Sequence, residues 1–175
     1  MTIRKILTEP NKILRQKSEV VDVVNKEVQK LMDDMLETMC DAPGIGLAAI
    51  QVGIPKRIIV MDISRGDEKK NPLFFINPEI IWKENENATY EEGCLSVPDQ
   101  FAEIDRPKKC HIKFLDYFGK EQLTKAEGLL ATCIQHEMDH LEGILFIDYL
   151  SKLKKTMIIK KLSKRKKENI DRIIV

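Results

Sequence analysis

Several features that would assign this 175-residue chain to a familiar class are missing. No apolar run approaches the roughly 18 residues that a membrane span needs, and the basic start from Met1 to Leu7 has no apolar signal-type segment behind it. A membrane partner is therefore not expected. Cysteine occurs four times, at Cys40, Cys94, Cys110 and Cys133, with no CxxC spacing, which argues against a disulfide scaffold. A reducing bacterial cytoplasm is the expected location; an organelle fits equally if a transit peptide has been removed. A formal net charge of +1 gives no general pull toward nucleic acid, although the charge is uneven. Ser151 to Val175 holds ten basic and two acidic residues, a net of +8, and the remainder carries a net of −7. There is no internal repeat and no low-complexity linker, so residues 1–175 read as one domain. At 43% hydrophobic and 33% charged residues, that domain can bury a sizeable core.

Histidine is scarce too, at three residues, and two of the three fall in His136-Glu137-Met138-Asp139-His140. On a helix, positions four apart stack one turn above the other, so both imidazoles can reach one metal ion with Glu137 beside them to handle protons. A five-position pattern also occurs on surface helices without a metal. The residues around it weigh against that alternative. Leu129, Leu130, Ala131, Cys133, Ile134, Met138 and Leu141 leave little of this helix polar, which predicts a buried helix over 129–141 closed by Gly143. Two imidazoles and a carboxylate buried without partners would cost several kcal/mol, roughly 2–7 per polar group.

The rest of the chain supplies the setting. Residues 3–24 read as irregular. Val28, Leu31, Met32, Met35, Leu36 and Met39 follow helical spacing after Asn25, a good N-cap, and Pro43-Gly44 stops that helix by Ala42. Its methionines read as core filler. Arg57 to Asp62 reads as a buried strand. Leu73 to Ile76 and Glu79 to Lys83 read as two strands split by Asn77-Pro78. Glu84 to Asn87 reads as a turn and Glu91 to Ser96 as a break in pattern. Lys109 to Leu115 is a strand with Cys110, Ile112 and Phe114 on one face, and Phe118-Gly119-Lys120 turns into a strand near Glu121 to Thr124. A last helix over about 151–168 places Leu153, Met157, Ile158 and Leu162 on one side and lysines on the other. The expected class is α+β. Antiparallel or mixed sheets would wrap a central buried helix carrying the motif, with an amphipathic helix before them and a helix at the C-terminus.

Gly44-Ile45-Gly46-Leu47-Ala48-Ala49-Ile50-Gln51 is no phosphate loop, since it lacks the Lys-Ser/Thr pair. Its glycines fit either a tight helix-to-strand connection or a backbone that something approaches closely. Gln51 is a lone amide ending an apolar run. A third metal ligand has few sources. No histidine follows His140, and the later glutamates are only Glu142 and Glu168. Upstream, Cys94 offers a thiolate suited to zinc or ferrous iron, next to Gly93 and Glu92. Cys110 and Cys133 fit apolar faces instead.

Three segments together, Gly44 to Gln51, Glu92-Gly93-Cys94-Leu95-Ser96 and Gln135 to His140, resemble the peptide deformylase family, with weaker similarity from about Ile3 to about Leu162. The resemblance implies a hydrolase that removes the formyl group from N-formylmethionyl nascent chains. It implies one divalent ion on Cys94, His136 and His140, ferrous in the native enzyme, with zinc, nickel or cobalt able to replace it. Glu137 would take the proton of the attacking water. Gln51 and the Leu95 N–H would face the formyl oxygen. Ile45, Gly46, Gly93, Tyr90, Leu129, Thr132 and Cys133 would line the peptide and methionine site. Glu92, with Arg106 as its partner by analogy, would stand behind the ligands. The basic C-terminal helix would dock on the ribosome; a solvated lysine face is the simpler account of it. Two rivals stay open: an HExxH metallopeptidase with a late glutamate ligand, and a non-catalytic metal- or peptide-binding module.

Overall fold

Alternating apolar residues at Ile58 to Met61 send successive side chains to opposite faces of a strand, and both faces are covered. The computed structural model describes residues 2–64 and 69–173, with side chains through Arg165. Its elements are α1 (Lys26–Asp41), β1 (Gly46–Ala48), β2 (Ile58–Met61), β3 (Leu73–Lys83), β4 (Asn87–Cys94), β5 (Val97–Pro107), β6 (Lys109–Leu115), β7 (Glu121–Glu127), α2 (Gly128–Leu141) and α3 (Lys152–Ile173). Strands β1-β2-β3-β6-β7 form one sheet and β4-β5 a second. Every named strand pair is antiparallel, so the mixed alternative is not realised. Among the described residues the one parallel contact is an isolated bridge between Glu19 and Lys56. The class is α+β.

The five-stranded sheet separates two cores. On one face Ile59, Met61, Phe75, Cys110 and Ile112 meet Ala131, Cys133, Ile134 and Leu141 of α2. On the other, Ile58, Val60 and Ile76 meet Met32, Met35 and Met39 of α1. Asn25 caps α1 as expected, its side-chain oxygen accepting from the Val28 N–H at 3.0 Å. A third cluster joins Val97 and Ile104 of β5 to Phe146, Ile147 and Leu162. Each fully buried large apolar side chain contributes roughly 1.5–3 kcal/mol of transfer free energy.

Three expectations change. Asn77-Pro78 does not split a strand; β3 runs through it with a register shift between Ile76 and Glu79. Asn77 takes a positive φ of 50° and ties its side chain to both the N–H and the C=O of Val21, so the irregularity is held in place. Glu84 to Ser96 is more regular than its composition implies, because Asn87–Cys94 pairs along its length with β5. In α3, Leu153 and Met157 are exposed at 72% and 62%, while Ile158, Ile159 and Leu162 form the packed stripe. Leu153 and Met157 are one turn apart but about 100–140° round the helix from Ile158. Residues 3–24 contain one short helical turn, Lys12–Arg15.

Candidate active site

The site forms where the end of β4 meets the last two turns of α2. Cys94 closes β4 at a register break and faces Val97 across a two-residue turn. That turn brings the sulfur to α2, where Cys94 Sγ lies 3.3 Å from His140 Nε2. The rings of His136 and His140, one turn apart, are 4.9 Å centroid to centroid and edge-on. One donor atom from each of Cys94, His136 and His140 lies within 4.8 Å of the others. One thiolate and two imidazoles fit a single zinc or iron ion, and three protein donors leave a fourth position for a water or substrate.

The donors are braced from behind. His136 Nδ1 is 2.8 Å from Glu92 Oε2, which leaves Nε2 for the cluster. Arg106 donates to Glu92 through Nε at 2.5 Å and Nη2 at 3.0 Å, and to Asp139 through Nη1 at 2.8 Å. Burial alone would raise the Glu92 carboxyl, but His136 and Arg106 hold it below the usual range. Burial would also lower His136, yet Cys94 and Glu92 lift it well above an ordinary imidazole; burial and the neighbouring His136 depress His140.

Glu137 points elsewhere. Its carboxyl is buried, Oε2 has no protein partner, and burial pushes it up to about 7, where both protonation states are accessible near neutrality. A methyl placed on Gly46 would lie 2.5 Å from Glu137 Oε1, so the glycine makes room for that carboxylate. At Gly93 the neighbour is Phe101, whose ring would be 2.6 Å from an added Cβ. Each glycine thus accommodates a side chain of this protein. Gln51 sits on a short helical turn, Ala49–Val52. Its Oε1 accepts from the Ala48 N–H at 2.8 Å, and Nε2 is directed at Ser96 Oγ, 3.1 Å, and Cys94 Sγ, 3.6 Å.

A cleft of about 490 Å³ opens onto these groups. Thirteen of the fifteen expected site residues line it: Glu137, Gln51, Leu95, Cys94, His136, Glu92, Ile45, Gly46, Gly93, Tyr90, Leu129, Thr132 and Cys133. The other two, His140 and Arg106, stand behind its wall, against Cys94 and Glu92. Leu129, Thr132 and Cys133 share the His136 face of α2, as helical spacing requires. Three contributors were not picked out from the sequence. Ser96 is fully buried against Gln51, although it lies inside a segment already singled out. Asp139 was an unassigned middle position of the histidine motif, and Tyr149, which donates to it at 2.9 Å, had no local signal. Of the late glutamates, Glu142 is committed to Arg57 at 2.6 Å and Lys17 at 3.0 Å; the Glu168 side chain lies outside the described residues.

A Cys/His/His donor set that could hold one metal ion, beside a buried carboxylate at the base of a cleft in an antiparallel α+β fold, is the kind of arrangement that metal-dependent hydrolases use. The polypeptide deformylase family model matches residues 3–156. The chain is 69% identical over 170 residues to the peptide deformylase of Pelagibacter ubique, covering 97% of this chain and 99% of that one. Among solved structures it resembles peptide deformylase from Ehrlichia chaffeensis in complex with actinonin, with a TM-score of 0.90, 45% identity and coverage of 94% and 98%. It also resembles a peptide deformylase from Legionella pneumophila, with a TM-score of 0.89, 44% identity and coverage of 97% and 98%. The chain belongs to the polypeptide deformylase family.

Proposed function

We infer that this protein hydrolyses the N-terminal formyl group of N-formylmethionyl polypeptides, releasing formate and a free amino terminus. The observation that carries this reading is the Cys94, His136 and His140 cluster with Glu137 beside it, at the bottom of a cleft of about 490 Å³.

Cys94, His136 and His140 would hold one divalent ion. Ferrous iron is the native choice, and zinc, nickel or cobalt suits the same donors. When bound, such an ion supplies Lewis acidity toward a water and toward the formyl oxygen. The remaining work falls to the chain. Glu137 accepts the proton of the attacking water and delivers it to the nitrogen that leaves as the formyl C–N bond breaks. Its rise to about 7, caused by burial, supports this two-way role. The Gln51 amide and the Leu95 N–H donate to the negative charge developing on the formyl oxygen. Gln51 suits this part because the Ala48 N–H fixes its oxygen and turns its NH₂ toward the cluster. Glu92 and Arg106 keep His136 in one tautomer.

Leu129, Thr132, Cys133, Ile45 and Tyr90 would receive the methionine side chain, and the peptide would run between Gly46 and Gly93 as an added strand. On this reading α2 is the central element that the sheets enclose, and residues 1–175 act as one catalytic domain in a bacterial cytoplasm. The exposed Leu153 and Met157, flanked by the lysines of α3, support docking of that helix on the ribosome. No helix among the described residues is long and apolar enough to cross a membrane.

The test is formate release from formyl-Met-Ala-Ser by anaerobically iron-loaded protein, together with the metal content of Cys94→Ser. Catalytic formate release and loss of the ion in the variant are expected. Cleavage of internal peptide bonds, or binding without formate, would overturn the assignment, and full metal retention by Cys94→Ser would remove the ligand set.

A further inference from the structure

We propose that Tyr149 and Asp139 are positioning residues that hold the metal ligand His136 from behind, through Arg106 and Glu92. The inference rests on the reading above that His136 binds an ion. The chain of contacts is continuous. His136 Nδ1 meets Glu92 Oε2 at 2.8 Å, Glu92 receives two N–H groups of Arg106, and the third point of the guanidinium fork meets Asp139 Oδ2 at 2.8 Å. Tyr149 then closes the end twice. Its hydroxyl donates to the same Asp139 oxygen at 2.9 Å, and its ring lies against the guanidinium, 5.1 Å from Arg106 Cζ to the ring centroid. A guanidinium is a planar fork, so two carboxylates fix it in its plane and an aromatic face fixes it across that plane.

Tyr149 has no other evident reason to be so placed. It ends the short helical turn Phe146–Tyr149 and is half exposed. From the same turn, the Phe146 ring stacks on His136 with centroids 6.3 Å apart and planes 25° apart. One four-residue turn therefore bears on the ligand directly through Phe146 and indirectly through Tyr149. Between them in sequence, Asp148 is anchored to Arg15 at 2.5 Å and to Lys155 of α3 at 2.6 Å. The Tyr149 end faces a separate hollow of about 450 Å³, lined by Arg106, Asp139 and Tyr149 among others, which shares no lining residue with the substrate cleft. Tyr149 lines none of the substrate cleft, so a change there reaches the cleft through Arg106 and Glu92.

The experiment compares the full chain with Tyr149→Ala, Tyr149→Phe and Asp139→Asn, each loaded with cobalt(II). The readouts are the cobalt absorption spectrum, the rate of ion loss to EDTA, and kcat and KM on formyl-Met-Ala-Ser. Partners that touch a ligating histidine directly are worth roughly 10–100-fold in metal affinity, so a link two residues further out should accelerate ion loss by roughly 3–10-fold. Tyr149→Ala and Asp139→Asn should show that acceleration, a shifted cobalt spectrum and a reduced kcat with KM unchanged. Tyr149→Phe, which keeps the ring, should fall between them and the parent. A merely structural role would lower the melting temperature and leave spectrum and ion loss alone. Ion loss and spectra matching the parent in Tyr149→Phe and in both other variants would overturn the inference while leaving the metal site standing. A parent chain that takes up no cobalt would overturn both.

Discussion

The five-stranded sheet carries an apolar core on each face and lines the cleft only with Gly46 on its edge strand, whereas the β4-β5 hairpin is polar, half exposed and supplies Cys94, Glu92 and Arg106. Helix α2 is shared between them. It packs Ala131, Ile134 and Leu141 into the sheet core, presents His136 and His140 toward the hairpin, and sets Glu137 against Gly46 on the sheet's edge strand. The core packing and the two histidines are thus housed on opposite sides of one helix, with Glu137 at the boundary between them. The hairpin side compensates for its thin core with a hydrogen-bonded ion-pair network, which orients groups well but stabilises the fold little, because desolvation offsets much of its attraction. If this division is right, substitutions on the two sides of α2 should fail in different ways.

The largest effect belongs to the chemical side. Glu137→Gln keeps the shape of the side chain and removes its capacity to take a proton, so turnover should fall by roughly 10²–10⁴-fold. Metal content and melting temperature should stay at the parent's values, since the carboxylate makes no buried ion pair that the amide would break. The check is formate release alongside metal analysis. Turnover within a few-fold of the parent would place the proton acceptor elsewhere.

On the side of the same helix away from His136, Ile134→Ala deletes a fully buried side chain between α2 and the sheet and should cost roughly 2–5 kcal/mol in denaturant unfolding. The kcat per folded, metal-loaded molecule should be nearly unchanged. A comparable loss of kcat would mean that the sheet core sets the geometry of the ligands directly, and the two sides would no longer be separable.

The same division governs what could be read from the residues alone. Helix α1 was legible because Val28 to Met39 repeat with helical spacing behind a capping asparagine. Strands β2 and β6 were legible because both are apolar where they meet the cores. Strand β4, with the sequence Asn-Ala-Thr-Tyr-Glu-Glu-Gly-Cys, has weak strand propensity and only Glu92 buried, so its pairing with β5 is imposed by tertiary context. The Cys94, His136 and His140 cluster was legible because thiols and imidazoles are rare here and sit in tight local patterns. The bracing was only partly so. Asp139 lies within the motif, but Tyr149 meets it ten residues later through a short turn that no periodicity announces, and Arg106 meets Glu92 across fourteen residues of hairpin. In α3 the apolar residues were identified but assigned to one stripe, when they form a packed one and an exposed one.

Two glycines give the finest test, because both look like room for a peptide and the structure gives each a different neighbour. At Gly46 an added methyl meets the buried Glu137 carboxylate at 2.5 Å and its Cγ at 3.0 Å, and that side chain would have to shift into the cleft it lines. Overpacking of this kind costs roughly 1–3 kcal/mol, so Gly46→Ala should lower kcat by roughly 5- to 150-fold as the carboxylate is displaced. At Gly93 the methyl meets Phe101, but that residue is 66% exposed and its ring can swing outward. A surface rearrangement costs no more than about 0.5 kcal/mol. Replacing a glycine in extended backbone also removes unfolded-chain freedom worth roughly 0.4–1 kcal/mol, so the two contributions nearly cancel. Gly93→Ala should therefore leave both melting temperature and kcat close to the parent's, with KM as the deciding quantity. An unchanged KM makes the aromatic ring the reason for the glycine. A KM that rises several-fold with kcat intact would mean that the substrate backbone comes closer to Gly93 than the ring does, and the hairpin would then bind peptide as well as metal.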